Sequence, residues 1–147
     1  MRSRARAPSA IGSTVAIGLL AGAVLAAQDG KSGQAVQQRR TEPVRCRAAT
    51  EQRLDNVFLD VAAGDAIVAE GGCTLTIRRS RVAAPGWALV VEGGAEIVIE
   101  DSVIEGRGGS MNIADGGEVS SARSTFKGRI ARRPDAKFVD KGGNTLP

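Results

Sequence analysis

Seven acidic side chains between residues 92 and 118 are the groups of this chain that could do chemistry: Glu92, Glu96, Glu100, Asp101, Glu105, Asp115 and Glu118. Glycoside hydrolysis requires two carboxyl groups about 5–9.5 Å apart on one face of a molecule. A spacing of 22 residues relates Glu96 to Glu118 and Glu70 to Glu92, so each pair could act together or hold a cation weakly. Acids on the outside of a repeat structure are ordinarily solvated, and we interpret these as surface charges.

The composition removes most catalytic arrangements. The chain contains no histidine, which excludes Ser-His and Cys-His nucleophile pairs. Its two cysteines cannot by themselves fill a tetrahedral zinc shell. We therefore predict no catalytic residue, no cofactor and no metal site, and we expect that the protein is not an enzyme.

Oppositely charged residues also recur at the 22-residue spacing. Arg79, Asp101 and Arg123 are related in this way, and so are Arg78 and Glu100. Opposite charges on neighbouring strands attract each other, although an exposed pair contributes only about 0–1 kcal/mol. We predict that Asp101 contacts both Arg79 and Arg123 in a salt-bridge ladder that fixes the register between repeats.

Trp87 is the single tryptophan of the chain and begins one of the repeats. It is a candidate glycan contact, because an aromatic ring can stack on a sugar, or it simply covers an apolar edge. Its counterpart 22 residues later is Gly109, so no aromatic ladder is present in the sequence. We favour the packing interpretation.

The elements that must position these residues are three 22-residue frames that begin at Asp65, Trp87 and Gly109. Apolar residues alternate within each frame, which is typical of short strands with one buried face. Repeats of this length indicate a solenoid, in which each copy is buried against its neighbours. The apolar columns are Ile67, Leu89 and Met111; Ala69, Val91 and Ile113; Leu75, Ile97 and Val119; Ile77, Ile99 and Ser121; and Val82, Ile104 and Phe126.

Glycine pairs and a column of small polar residues separate the strands. Gly93 and Gly94 belong to one of the "GG" pairs, which supply the positive φ angles of sharp corners. The serines of the polar column, Ser80, Ser102 and Ser124, predict a stacked ladder at a bend. Partial copies of the repeat place Asn56 and Asn144 in the same column, which extends the structure to four or five turns.

Two solenoid architectures compete for this pattern. Segments such as "LTIRRSRV" imitate part of a leucine-rich repeat, but leucine is scarce and the return leg "ALVVEGG" has a strand period. The stretch "ALVVEGGAEIVIEDSVIEG" resembles the coils of the pectate-lyase-like right-handed parallel β-helix family. The resemblance covers about residues 54–146 and implies an all-β solenoid. It implies no particular function, because lyases, hydrolases, adhesins and non-catalytic domains share this fold.

The N-terminal stretch predicts an export signal over residues 1–26. Three arginines precede an apolar segment over residues 11–27, and "VLAA" allows cleavage after Ala26 or Ala27. An uncleaved membrane anchor is the alternative, although this segment is marginal for the ~20 residues of a span. Gln28 stands where a lipoprotein would have cysteine. We expect a disordered polar leader over residues 27–43 and a β-helix domain over residues 44–147.

Export bears on the charge and on the cysteines. Three of the 20 Lys and Arg residues precede the cleavage site, leaving 17 against 16 Asp and Glu. This balance, together with three Phe and no Tyr, argues against nucleic-acid binding. In an oxidising compartment Cys46 and Cys73 are expected to form a disulfide, with two free thiols as the alternative.

The sequence therefore predicts an architecture and a location more clearly than an activity. We expect a secreted or periplasmic, non-catalytic module with a structural or surface-binding role in the bacterial envelope, not embedded in the membrane after cleavage. The alternative is a reduced polysaccharide-binding or polysaccharide-active relative of the pectate-lyase-like proteins. The expected partners are a cell-surface glycan or a second copy that stacks on the exposed end coils.

Overall fold

The repeat folds as three short strands and three corners per turn. The computed structural model describes residues 37–147, which form five turns. The strands in chain order are β1 (Gln38–Arg40), β2 (Val44–Cys46), β3 (Glu51–Asp55), β4 (Val57–Asp60), β5 (Ile67–Ala69), β6 (Thr74–Arg78), β7 (Arg81–Ala84), β8 (Trp87–Val91), β9 (Glu96–Glu100), β10 (Val103–Gly106), β11 (Gly109–Ile113), β12 (Glu118–Ala122), β13 (Thr125–Lys127), β14 (Ile130–Arg132) and β15 (Lys137–Asp140).

Every third strand belongs to the same parallel sheet. Sheet A has the order β1-β4-β7-β10-β13, sheet B the order β2-β5-β8-β11-β14, and sheet C the order β3-β6-β9-β12-β15. The described residues contain no helix, and the return legs are strands, so the leucine-rich-repeat alternative is wrong. The all-β parallel β-helix predicted from the alternation is confirmed.

The apolar columns pair in the register that the 22-residue spacing predicts. Leu89 pairs with Ile67 and Met111, and Ile97 pairs with Leu75 and Val119. The side chains of these columns are buried, and Ile97, Ile99 and Ile104 are completely inaccessible to solvent. Full burial of one such side chain contributes roughly 1.5–3 kcal/mol, so the stacked columns are the main source of stability.

A ladder of side-chain oxygens crosses the corner between sheets C and A. The N–H groups of Ser80, Ser102 and Ser124 donate to Ser102 Oγ (3.1 Å), Ser124 Oγ (3.2 Å) and Asn144 Oδ1 (3.0 Å), respectively. The predicted Ser column and the place of Asn144 in it are therefore confirmed. The ladder satisfies N–H groups that the bend removes from the strand hydrogen bonds.

The place predicted for Asn56 is wrong by one residue. Ser80 Oγ accepts its hydrogen bond from the N–H of Val57 (3.0 Å), so Val57 and not Asn56 occupies the Ser column. Asn56 belongs to the preceding column, whose members have positive φ: Asn56 (56°), Arg79 (46°), Asp101 (49°) and Arg123 (50°). Asparagine and aspartate tolerate this left-handed conformation better than most residues, which explains the asparagine here.

The corner between sheets B and C is a stack of left-handed residue pairs. Gly93 and Gly94 have φ of 61° and 73°, as the "GG" pattern predicts. A Cβ atom on Gly93 would lie 3.0 Å from the N atom of Gly71 in the preceding turn. In the following turn the position of Gly93 is taken by Asp115, whose φ is 49°. Such a conformation costs a non-glycine residue roughly 1–2 kcal/mol.

The β-helix begins earlier than residue 44, the boundary expected from the sequence. Strand β1 lies inside the predicted leader and pairs with β4. Its residues are exposed and polar, so no apolar alternation marks the strand in the sequence. Arg39 lies 5.5 Å from the ring centroid of Phe58 and within 3.3 Å of Asp60, which holds β1 against the next turn. The predicted signal and the leader before residue 37 lie outside the described residues.

Both end turns carry polar side chains at positions that are apolar in the middle of the stack. In the first turn Gln38 and Arg40 pair with the buried Val57 and Leu59. In the last turn Arg132 and Asp140 pair with Ile113 and Ser121. Inward-pointing charges at the ends of sheets discourage pairing with another chain.

Truncation of Ile99 tests the inward columns. We expect Ile99→Ala to lower the free energy of unfolding by about 2–5 kcal/mol, because it opens a cavity in the middle turn. Val98 of the same strand points outward and is half-buried, so Val98→Ala is the matched control with a small effect. Equal losses for the two variants in urea unfolding would contradict the assigned faces.

Replacement of Asp115 tests the left-handed corner. We expect Asp115→Gly to raise the free energy of unfolding by about 1 kcal/mol, because glycine adopts the same φ without the steric cost. Gly93→Ala, the converse change in the neighbouring turn, should be destabilising. Thermal unfolding of both variants measures the two shifts, and shifts of the same sign would contradict this explanation.

Candidate functional site

The salt-bridge ladder predicted for Arg79, Asp101 and Arg123 has different partners in the structure. Arg123 donates to both carboxylate oxygens of Asp101, at 2.7 and 3.0 Å. Arg79 forms its salt bridge with Asp55 of the preceding turn (2.7 Å) and none with Asp101. Both arginines thus reach toward the preceding turn, and Asp101 does not bridge its two neighbours. The second expected pair, Arg78 and Glu100, forms at 2.9 Å.

Asp101 is the described acid whose ionisation is most clearly altered by its surroundings. The hydrogen bonds from Arg123 lower the pKa of Asp101 more than desolvation raises it, and the charges of Arg123, Arg79 and Arg78 act in the lowering direction too. Reciprocally, the hydrogen bonds with Asp101 raise the pKa of Arg123. Asp101 therefore stays ionised, as a structural ion-pair partner and not as a proton donor.

In each carboxylate pair suggested by the spacing, one member has a cation on its other side. Glu96 and Glu118 pair in register as expected, but Lys137 of the next turn lies 3.9 Å from Glu118. Glu70 is bound to Arg47 of the preceding turn, at 2.5 Å. Within residues 37–147, no group of three or more His, Cys, Asp or Glu side chains is arranged to hold a metal ion.

Trp87 lies on the outside of the corner between sheets A and B. Its ring occupies the space above Gly109, where a Cβ atom would lie 2.0 Å from the ring. The guanidinium group of Arg129 lies over the same ring, 4.8 Å from its centroid. Because Trp87 is held by Gly109 and Arg129, this arrangement favours the packing interpretation over a sugar platform.

The two cysteines lie at disulfide distance, as expected. Cys46 and Cys73 have Cα atoms 5.8 Å apart and are both completely buried. The disulfide links the first turn to the second at the point where β2 ends and β6 is about to begin. It therefore fixes the polar first turn on the apolar core.

A pocket that the sequence analysis did not identify lies on the outer face of sheet A. Its floor is Ala83, which pairs with Asp60 on one side and Glu105 on the other. Phe58, Pro85 and the loop after β4 border this open pocket, which has a volume of about 320 Å³. We call this feature the Phe58 pocket; its charged lining residues are Asp60, Arg81, Glu105 and Arg107.

Three of the four charged groups of the Phe58 pocket are tied to a partner. Arg81 lies 3.2 Å from Glu105 and 5.4 Å from the ring centroid of Phe58. Asp60 lies 3.3 Å from Arg39. Within the described part of the chain, the guanidinium group of Arg107 has no side-chain partner, while the backbone N–H of Arg107 donates to Ala84 O (3.1 Å). The pocket therefore combines two carboxylates that are held in salt bridges with one guanidinium group, that of Arg107, which has no described side-chain partner.

The pocket arises from a local change in the repeat. Six residues separate Asp60 from Ile67, but only five separate their partners Ala83 and Leu89. The longer loop after β4 forms one wall of the pocket, and the small side chain of Ala83 leaves space above the sheet. The acid–alanine–acid order of this column is a sequence signal, but it is visible only when the longer spacing of 23 residues between Asp60 and Ala83 is recognised.

Comparisons of the chain with protein-family models, with curated proteins and with solved structures gave no match. The parallel β-helix is therefore established by its geometry, while the pectate-lyase-like identity stays a prediction. No helix that is long and apolar enough to cross a membrane occurs between residues 37 and 147.

Acid unfolding tests the ion pair of Asp101. Because the folded-state pKa of Asp101 is lowered, its pairing stabilises the fold above the unfolded pKa and is lost as the pH falls below about 4. We expect Asp101→Asn to lose stability less steeply than the wild-type protein when melting temperature is followed into acid. The control is Glu96→Gln, which removes an exposed acid without a described ion pair. A wild-type slope in Asp101→Asn would contradict the assignment.

Proposed function

We propose that this chain is an exported, non-catalytic β-helix module with a structural or surface-binding role in the bacterial envelope. The observation that carries the proposal is the pairing of surface acids with cations of adjacent turns, as in Asp101–Arg123 and Glu70–Arg47. Such pairs hold the turns in register and leave the carboxylates committed to the fold. The disulfide-distance pair Cys46–Cys73 and the signal-like N-terminal sequence support export.

The Phe58 pocket supports binding more than catalysis. Its carboxylates, on Asp60 and Glu105, face each other across Ala83, which is the arrangement that sugar hydrolysis uses. Each of them makes a salt bridge with an arginine, which fixes it as a hydrogen-bond acceptor. Ligand-binding sites combine apolar surface with a small number of fixed polar groups, and this pocket has such polar groups around a small apolar floor.

The second candidate function is the binding or processing of a polysaccharide by a reduced relative of the pectate-lyase-like proteins. The Phe58 pocket is the observation that favours it. The carboxylates beside Ala83 and Pro85 can accept hydrogen bonds from sugar hydroxyl groups, and the guanidinium groups can donate hydrogen bonds to them. Trp87 contributes less to this candidate, since its ring already packs with Arg129.

Self-association through the end coils is the expectation that the fold supports least. Head-to-tail stacking would continue the column Cys46, Ala69, Val91, Ile113 and Arg132. It would place Arg132 of one copy against Cys46 of the next, and Asp140 against Leu54. Burial of such unpaired charges is costly, so we propose that the module acts as a monomer.

Cell fractionation combined with intact-mass measurement tests the leading proposal. We expect the protein in the periplasm or the medium, with a mass that corresponds to cleavage after Ala26 or Ala27 and to oxidised cysteines. A variant without residues 2–26 is the control and should stay in the cytoplasm. Retention of the full-length mass in the cytoplasm or in the membrane fraction would contradict export as a soluble protein. A glycan array and an assay for new reducing ends separate the second candidate from the first.

A further inference from the structure

The Phe58 pocket has a charge pattern that selects among small ligands. Its four charged lining residues are two acids, Asp60 and Glu105, and two bases, Arg81 and Arg107, and Arg39 beside Asp60 adds a further positive charge. A ligand with a single charged group would engage either the acids or the base and leave the other group desolvated without a partner, which carries a cost. The pattern therefore fits a ligand that carries one positive and one negative group.

Arg107 is the group that would receive the negative end of such a ligand. Its guanidinium has no side-chain partner among residues 37–147, whereas Arg81 is held by Glu105 and by the ring of Phe58. A guanidinium presents two parallel N–H donors that match the two oxygens of a carboxylate. Arg81, which Glu105 and the Phe58 ring hold in place, adds positive charge to the pocket in its present conformation.

Asp60 and Glu105 would receive the positive end. Each of them makes one described polar contact, from Asp60 Oδ2 to Arg39 at 3.3 Å and from Glu105 Oε2 to Arg81 at 3.2 Å. The second oxygen of each carboxylate has no described partner. By contrast, Asp55 uses both oxygens on Arg79 at 2.7 Å. The two pocket acids can thus accept hydrogen bonds from an ammonium group, which are stronger than those from a neutral hydroxyl.

We propose that the Phe58 pocket binds a small zwitterion in which a carboxylate stands next to an ammonium group, as in a free α-amino acid. Arg107 takes the carboxylate, and Asp60 with Glu105 takes the ammonium group. Ala83 and Pro85 contact the apolar part of the ligand. The volume of about 320 Å³ is at the lower end of the range for ligand pockets, which suits a ligand of this size. The inference rests on the surface-binding role proposed above but not on the ligand being a sugar.

Three probes of nearly equal size separate the two charges. Alanine carries both groups, propionate lacks the ammonium group, and isopropylamine lacks the carboxylate; methyl glucoside represents a neutral sugar. Titration of each into purified ¹⁵N-labelled protein, followed by amide chemical shifts, locates the site and gives the affinity. We expect alanine to bind on the order of ten- to hundredfold more tightly than either single-charge probe, with shifts centred on Ala84 and Arg107.

Substitutions assign the two ends of the ligand. Arg107→Ala should reduce the affinity for alanine to that for isopropylamine. Glu105→Gln should lower the affinity for alanine and leave the affinity for propionate unchanged or higher. Arg133→Ala is the matched control: it removes an exposed arginine between β14 and β15 and should change nothing. Wild-type melting temperatures in all three variants separate lost binding from lost folding.

The outcomes also separate this inference from the proposed function. Equal affinities for alanine and propionate, or shifts that lie away from the pocket, would overturn the zwitterion proposal. Absence of alanine binding in a protein that is exported and cleaved as expected would overturn it too, and would leave the envelope module standing. Binding of methyl glucoside alone at Ala84 and Arg107 would overturn it in favour of the polysaccharide candidate.

Discussion

The hydrogen bonds between successive turns are the interaction on which the rest of the structure depends. Each strand pairs in parallel with the strand one turn later, so residues about 22 positions apart become neighbours, as Ile67, Leu89 and Met111 do. Strand pairing spaces these neighbours about 4.8 Å apart in every column. A column therefore makes one chemical environment, and the residues in it must be compatible with their copies above and below.

This constraint explains the inside and the outside of the solenoid in the same terms. Inside, aliphatic columns bury each other, and the Ser ladder supplies acceptors where the chain bends. Outside, a carboxylate such as Asp101 is tolerated because the next turn provides Arg123. The Phe58 pocket forms where a column lacks this pairing of opposite charges on adjacent turns. There Ala83 separates Asp60 from Glu105, and the arginines that contact these acids come from other columns.

Much of the fold follows from the sequence because the repeat is visible as a fixed spacing. The sheet register, the buried columns, the glycine corner and the place of Asn144 could all be predicted in this way. The spacing fails where the frames change length, and it therefore predicts a position for Asn56 that is one residue off. It fails for β1, whose inward residues Gln38 and Arg40 carry no apolar signal. Which of two neighbouring arginines reaches Asp101, and where a loop opens a pocket, depend on side-chain direction, which spacing does not contain.

The polar end turns have a consequence for the length of the molecule. A solenoid with identical turns has no intrinsic size, since any turn can accept another on top. Here the charged residues Arg40 and Arg132 lie in the first and last described turns, where they oppose the stacking of an apolar turn. The central turns and the ends are thus separable parts: duplication of a middle repeat would lengthen the rod by one strand spacing without altering either end. Evolution can adjust the reach of such a module independently of its solubility.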